Sequence, residues 1–181
     1  MRNPFFTHLL APLAAIAISA TVALAHGPTP QKVEENIAIA ATPDEVWKYV
    51  GDFSAIAEWH PGVQSSTVTG DNAPGAEREL TLKNGGKLVE GLDEYDAEAK
   101  SLGYRISKEN IDVFPVSFYT AHLTVRPKDE GSEVEWIGRF YRADTGNFPP
   151  DEKNDAAAVA AMTDFFQAGL QGLKTKLEQK K

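Results

Sequence analysis

The side chains able to do chemistry in this sequence are few, and none is a thiol. Zero cysteines exclude disulfides, thiolate nucleophiles, iron–sulfur clusters and Cys-type zinc sites together. His60 is the foremost acid–base or ligand-contact candidate, because imidazole titrates near neutrality and Pro61 fixes the loop that carries it. The plainer role for such a His is to hydrogen-bond its own loop. No His, Asp or Glu stands three or four positions from it, and Glu58 is only two away, so no helical metal-ligand pair forms there. His122 has the parity opposite to Leu123 and is expected on the outer face of its strand.

Parity also singles out a charge pair. In Ala76–Lys83 the even positions are Arg78, Leu80 and Leu82, and in Lys87–Asp96 they are Leu88, Glu90 and Leu92. Each inward set therefore carries one charge. A three-residue Asn84-Gly85-Gly86 loop would place Leu82 opposite Leu88 and Leu80 opposite Glu90, making Arg78 and Glu90 diagonal neighbours on one sheet face. A lone charge there is costly, whereas a paired one beside water is tolerated. The expectation is a polar-lined cavity, with snorkelling at the sheet's end, or a bulge that flips one of the two, as the alternatives. Tyr104, Tyr119 and Trp136 fall on the same inward parity as their apolar strand neighbours, and Gly138 leaves room beside Trp136. Buried Tyr and Trp need polar partners, so a lined pocket and plain core packing both fit.

The elements that must position these residues follow from periodicity. Strands are expected at Lys32–Ala40, Val63–Gly70, Ala76–Lys83, Lys87–Asp96, Leu102–Lys108, Val116–Arg126 and Val134–Arg142, separated by Gly, Asn, Asp and Pro turn signals. Thr42-Pro43-Asp44-Glu45 reads as a capping box with proline at the first helical position. Asp52–Glu58 adds a further turn or two before Pro61. Val159, Met162, Phe166, Leu170, Leu173 and Leu177 recur at spacings of three and four, one stripe of a long helix over Ala156–Leu177. Sequential hairpins followed by a terminal helix mean an α+β domain with helices on one face of an antiparallel sheet.

The first 25 residues read as an address. Arg2 precedes an apolar run, Leu9–Leu24, that ends in Ala23-Leu24-Ala25, the three parts of a cleavable secretory signal. The run is short for a membrane span. The expected layout is a signal peptide, 1–25, and a single domain, 26–181, in the periplasm, where a cysteine-free exported protein is at home. The chain has 18 Lys plus Arg against 26 Asp plus Glu, a formal charge of −8. Removal of Arg2 makes it −9. Such a balance argues against nucleic acid as partner. The acidic run Asp93, Glu94, Asp96, Glu98 and the pair Asp129-Glu130 read as solvated turns, or as a surface that steers docking onto a basic partner. Lys174, Lys176, Lys180 and Lys181 complement the dipole at the last helix's C-terminal end. Cleavage would also make His26 an amino-terminal copper chelator, a minor alternative to an unstructured leader.

The segments GDFSAIAEWHPGV (51–63), GAERELTL (75–82), GGKLVEGLDEYD (85–96), FPVSFYTAHLTV (114–125) and EVEWIGRF (133–140) resemble the polyketide cyclase/dehydrase and lipid-transport family, the START-like helix-grip proteins related to Bet v 1. The resemblance implies a curved seven-stranded antiparallel sheet wrapped round a long C-terminal helix, with two short helices after the first strand and a cavity between sheet and helix. It places Trp59, His60 and Pro61 near the cavity mouth, and Arg78, Glu90, Tyr104, Tyr119 and Trp136 along its lining, with Phe166 on the helix. It implies no catalytic signature and no cofactor. The start HGPTPQKVEENI (26–37) further resembles periplasmic accessory proteins of methanol oxidation. The partners that this implies are a quinoprotein methanol dehydrogenase and its cytochrome c. A stand-alone carrier of an apolar or aromatic small molecule, or a cyclase-like enzyme, are the alternatives.

Overall fold

The structure is a computed structural model, and residues 27–179 are described. The expected signal peptide, 1–25, the expected copper-chelating His26, and Lys180 and Lys181 lie outside the described residues. Seven strands form one antiparallel sheet: β1 (Gln31–Ile39), β2 (Val63–Thr69), β3 (Glu77–Leu82), β4 (Lys87–Asp96), β5 (Ser101–Lys108), β6 (Val116–Lys128) and β7 (Gly131–Arg142). Their spatial order is β1-β7-β6-β5-β4-β3-β2. Two short helices, α1 (Pro43–Val50) and α2 (Ile56–Trp59), follow β1, and a long helix α3 (Asp155–Glu178) closes the chain. This is the expected α+β helix-grip architecture.

Local chemistry sets the element ends. Thr42 and Glu45 form a reciprocal capping box at the start of α1, with Pro43 in the first turn. Asn154 caps α3 by accepting from the Ala157 N–H at 2.9 Å. The helix lays Ala158, Met162, Phe166, Gly169, Leu170, Leu173 and Leu177 against the sheet. Ala158 takes the inward place expected of Val159, which is only half-buried. Irregular pairing after Leu92 in β4 and after Ser117 in β6, where Phe118 has φ 51°, interrupts the ladder and bends the strands. The concave face of the bent sheet holds α3 and the core.

The β3–β4 register differs from the expected one by two residues. Arg78 pairs directly with Glu90 and Leu80 with Leu88. The loop is Lys83-Asn84-Gly85 rather than Asn84-Gly85-Gly86: Gly85 takes the left-handed position, φ 93°, and the Leu82 N–H donates to Gly86 O at 2.7 Å. A side chain on Gly86 would collide with Val113, 2.1 Å from its Cβ position. Gly85 supplies the turn and Gly86 the close approach, which their identical residue type conceals.

Candidate ligand-binding site

Strand parity delivers Arg78 and Glu90 to the concave face, where they are 3% and 2% exposed. Arg78 Nε donates to Glu90 Oε2 at 2.6 Å, and Nη1 donates to Phe53 O at 3.0 Å. The guanidinium lies over the Phe53 ring at 4.1 Å and the Tyr104 ring at 4.8 Å. Tyr119 completes the carboxylate's shell by donating its hydroxyl to Glu90 Oε1 at 2.5 Å. Trp136 Nε1 donates to Tyr104 Oη at 2.9 Å. Burial first, and then the neighbouring Glu90 charge, push both phenols far above the usual tyrosine value, so they stay protonated. Arg78 Nη2 and Trp59 Nε1 are buried donors with no partner among the described residues.

A wet hollow is the expected setting of this pair, but aromatic side chains enclose it. The room over Gly138 is taken by Phe166, whose Cζ stands 2.9 Å from the glycine's Cβ position. Phe166 in turn stacks on Trp136 at 4.3 Å and 11°. Phe53 and Tyr104, over which the guanidinium lies, supply the apolar walls of the charge pair.

His60 sits at the seam between α2 and α3. Its Nδ1 accepts from the Gly62 N–H at 2.9 Å, and its Nε2–H donates to Phe165 O at 2.9 Å, which fixes one neutral tautomer. Desolvation drives its pKa down to about 4, with the Arg78 and Lys83 charges acting in the same direction. The ring packs on Phe165 at 4.0 Å. Trp59, beside it, packs edge-on against Trp136 at 5.8 Å. Outside this cluster, His122 is exposed on the outer face as expected, 3.9 Å from Glu94. Among the described residues no group of His, Asp or Glu has the arrangement to hold a metal ion.

An open pocket of about 300 Å³ lies where α3 meets the β3–β4 turn and the β5–β6 connection. Leu82, Val113, Phe114, Pro115, Ala161, Phe165 and Ala168 form its apolar walls, His60 its inner end, and Lys83, Asn84 and Asp164 its polar contribution. Of the eight side chains singled out from the sequence, only His60 borders this pocket. Arg78, Glu90, Tyr104, Tyr119, Trp136, Trp59 and Phe166 make the packed layer beneath. Phe114 and Phe165 separate the two levels, since Phe114 packs on Tyr119 at 6.3 Å and Phe165 on Trp136 at 5.9 Å. The core stripe does not pick out Phe165, which lies one place off it. Ala161, Phe165 and Ala168, again at spacings of four and three, form a second, small-large-small stripe that was legible.

A curved sheet gripping its terminal helix, with a small apolar pocket at one end of the grip, defines a helix-grip protein. Residues 30–178 match the family described as polyketide cyclase/dehydrase and lipid transport, and the chain belongs to that family. The MLP-like protein 423 of Arabidopsis thaliana is 37% identical over 79 residues, 40% of this chain and 50% of that protein, so the chain spans about half the length of this curated relative. The solved structure of XoxI from Bacillus cereus superposes with a TM-score of 0.69 at 22% identity, covering 82% of this chain and 96% of that one. A Thermobifida fusca structure superposes with a TM-score of 0.65 at 31% identity, covering 82% and 93%.

Proposed function

We propose that the chain is a binding protein that takes a small, largely apolar molecule in the pocket at the sheet–helix mouth. We further propose that it serves in the periplasm as an accessory protein of methanol oxidation, helping a quinoprotein methanol dehydrogenase pass electrons to its cytochrome c. The observation that carries the binding reading is the pocket's make-up. Its walls are apolar, and its one imidazole has both nitrogens committed to the backbone. Such a site offers shape and apolar area rather than a poised proton carrier. The accessory role is supported by the likeness of residues 26–37 to MxaD, by the secretory character of residues 1–25, and by the acidic charge balance.

Mass spectrometry of the purified protein under native conditions should find a retained small molecule, and an Ala161→Trp variant, whose indole fills the pocket, should lose it. An equal ligand load in both would remove the pocket from consideration. Adding the protein to purified methanol dehydrogenase and cytochrome c should quicken cytochrome reduction. Ligand retention without that effect points to a stand-alone carrier.

A further inference from the structure

Two charges border the pocket without being used by the fold. Lys83 on the β3–β4 turn and Asp164 on α3 both line it, and neither has an ion pair or side-chain hydrogen bond among the described residues. Elsewhere lysines are mostly tied down, as Lys87 is to Glu79, Lys100 to Asp44 and Lys153 to Asp112. An unpaired cation beside apolar walls is the arrangement that holds an amphipathic anion: the body leaves water while the anionic group stays at the wet rim.

The two charges are not equivalent. Lys83 follows Leu82 directly, and its backbone N–H donates to Gly62 O at 2.9 Å, which anchors its stem at the His60 end. The charges acting on the His60 ring are likewise cations, Arg78 and Lys83. Arg78 is neutralised by Glu90 within the core, which leaves Lys83, exposed at the rim, as the free positive charge on the His60 side of the pocket. Asp164 lies on the helix side and is shared with the neighbouring groove lined by Gln167 and Gln171. Its carboxylate repels an anion from that side and so sets the ligand's direction.

We infer that the pocket takes an apolar molecule bearing a single anionic group, with its body against Phe114 and Phe165 and its anion beside Lys83. This rests on the binding reading above and adds the ligand's charge. Two fluorescent probes test it, because 8-anilinonaphthalene-1-sulfonate and N-phenyl-1-naphthylamine share one aromatic body and differ by the sulfonate. In titrations of the purified full-length protein the anionic probe should bind more tightly. Because Lys83 is exposed, Lys83→Ala should weaken it by about two- to five-fold and Lys83→Glu by roughly ten-fold. Asp164→Asn should tighten it, while the neutral probe is indifferent to all three changes. Ala161→Trp should abolish both, which ties the signal to this pocket. If Lys83→Glu leaves the ratio of the two affinities unchanged while Ala161→Trp removes both probes, the charge inference falls and the binding reading stands. If neither probe binds, or Ala161→Trp leaves both signals intact, both fall.

Discussion

At the residue scale, His60 links packing to pH. Its folded-state pKa of about 4 lies below the 6.5 of a free imidazole, so between these values the unfolded chain binds more protons than the folded one. Stability contributed by the neutral ring is therefore complete above pH 6.5 and is lost as pH falls toward 4, by about 3 kcal/mol at most. Chemical denaturation at pH 7 and pH 4.5 should show a large acid loss in the parent and a distinctly smaller one in His60→Gln; equal losses would mean that the imidazole carries none of it. Arg78 and Glu90 make a second case. Glu90→Gln leaves a buried guanidinium without its counter-charge and should cost about 3–5 kcal/mol, whereas the double replacement Arg78→Met, Glu90→Leu should recover most of that. If the double variant is no more stable than Glu90→Gln, removal of an uncompensated charge is not what governs the site. The charge pair was legible because strand alternation points inward at fixed positions. His60 was ambiguous because its deciding partner, Phe165 O, is 105 residues away, beyond any local pattern.

At the element scale, the long helix owes its close seat to two glycines that helix propensity disfavours. A Cβ on Gly172 would stand 2.1 Å from Trp59 O, and one on Gly169 would stand 2.6 Å from His60 Cδ2 and 2.7 Å from Trp136 Cζ3. In an exposed helix, Gly→Ala stabilises by roughly 1 kcal/mol. Here the sign should reverse: Gly172→Ala must push α3 off the α2–β2 connection, lowering the melting temperature and loosening the His60–Phe165 hydrogen bond. A rise in melting temperature would show that the helix shifts freely. The same contrast marks what periodicity reads well. Strand and helix identities follow from alternation and from the 3–4 stripe, and the Thr42 box fixes one helix start. The β3–β4 register does not follow, because two adjacent glycines serve different ends and only the contact of Gly86 with Val113 assigns them.

For the whole molecule, antiparallel topology sorts the connections to two ends. The β3–β4 turn, the β5–β6 connection and the α2–β2 connection gather at one end with the pocket. The β2–β3, β4–β5 and β6–β7 connections gather at the other, where Asp71, Asp96, Glu98, Asp129 and Glu130 are exposed. Among the described residues near the end of α3, Lys176 holds Glu58 and the Tyr49 ring, and Lys174 holds Ala38 O and Glu178, so both cations are already engaged. The pocket and the exposed acidic groups thus lie at opposite ends, and docking at the acidic end would leave the pocket mouth uncovered. A basic partner steered by that end should associate roughly ten-fold or more slowly when salt is raised from low to several hundred millimolar, as screening shortens the reach of exposed charges to a few ångströms. On the accessory role proposed above, replacing Asp96, Glu98, Asp129 and Glu130 with lysine should slow association with the cytochrome or the dehydrogenase at low salt, while leaving 8-anilinonaphthalene-1-sulfonate affinity within about two-fold of the parent. Stopped-flow association of parent and variant across a salt series measures the first effect and probe titration the second. An association rate indifferent both to salt and to these four reversals would place the partner's footprint elsewhere on the surface, with the pocket end as the next face to test.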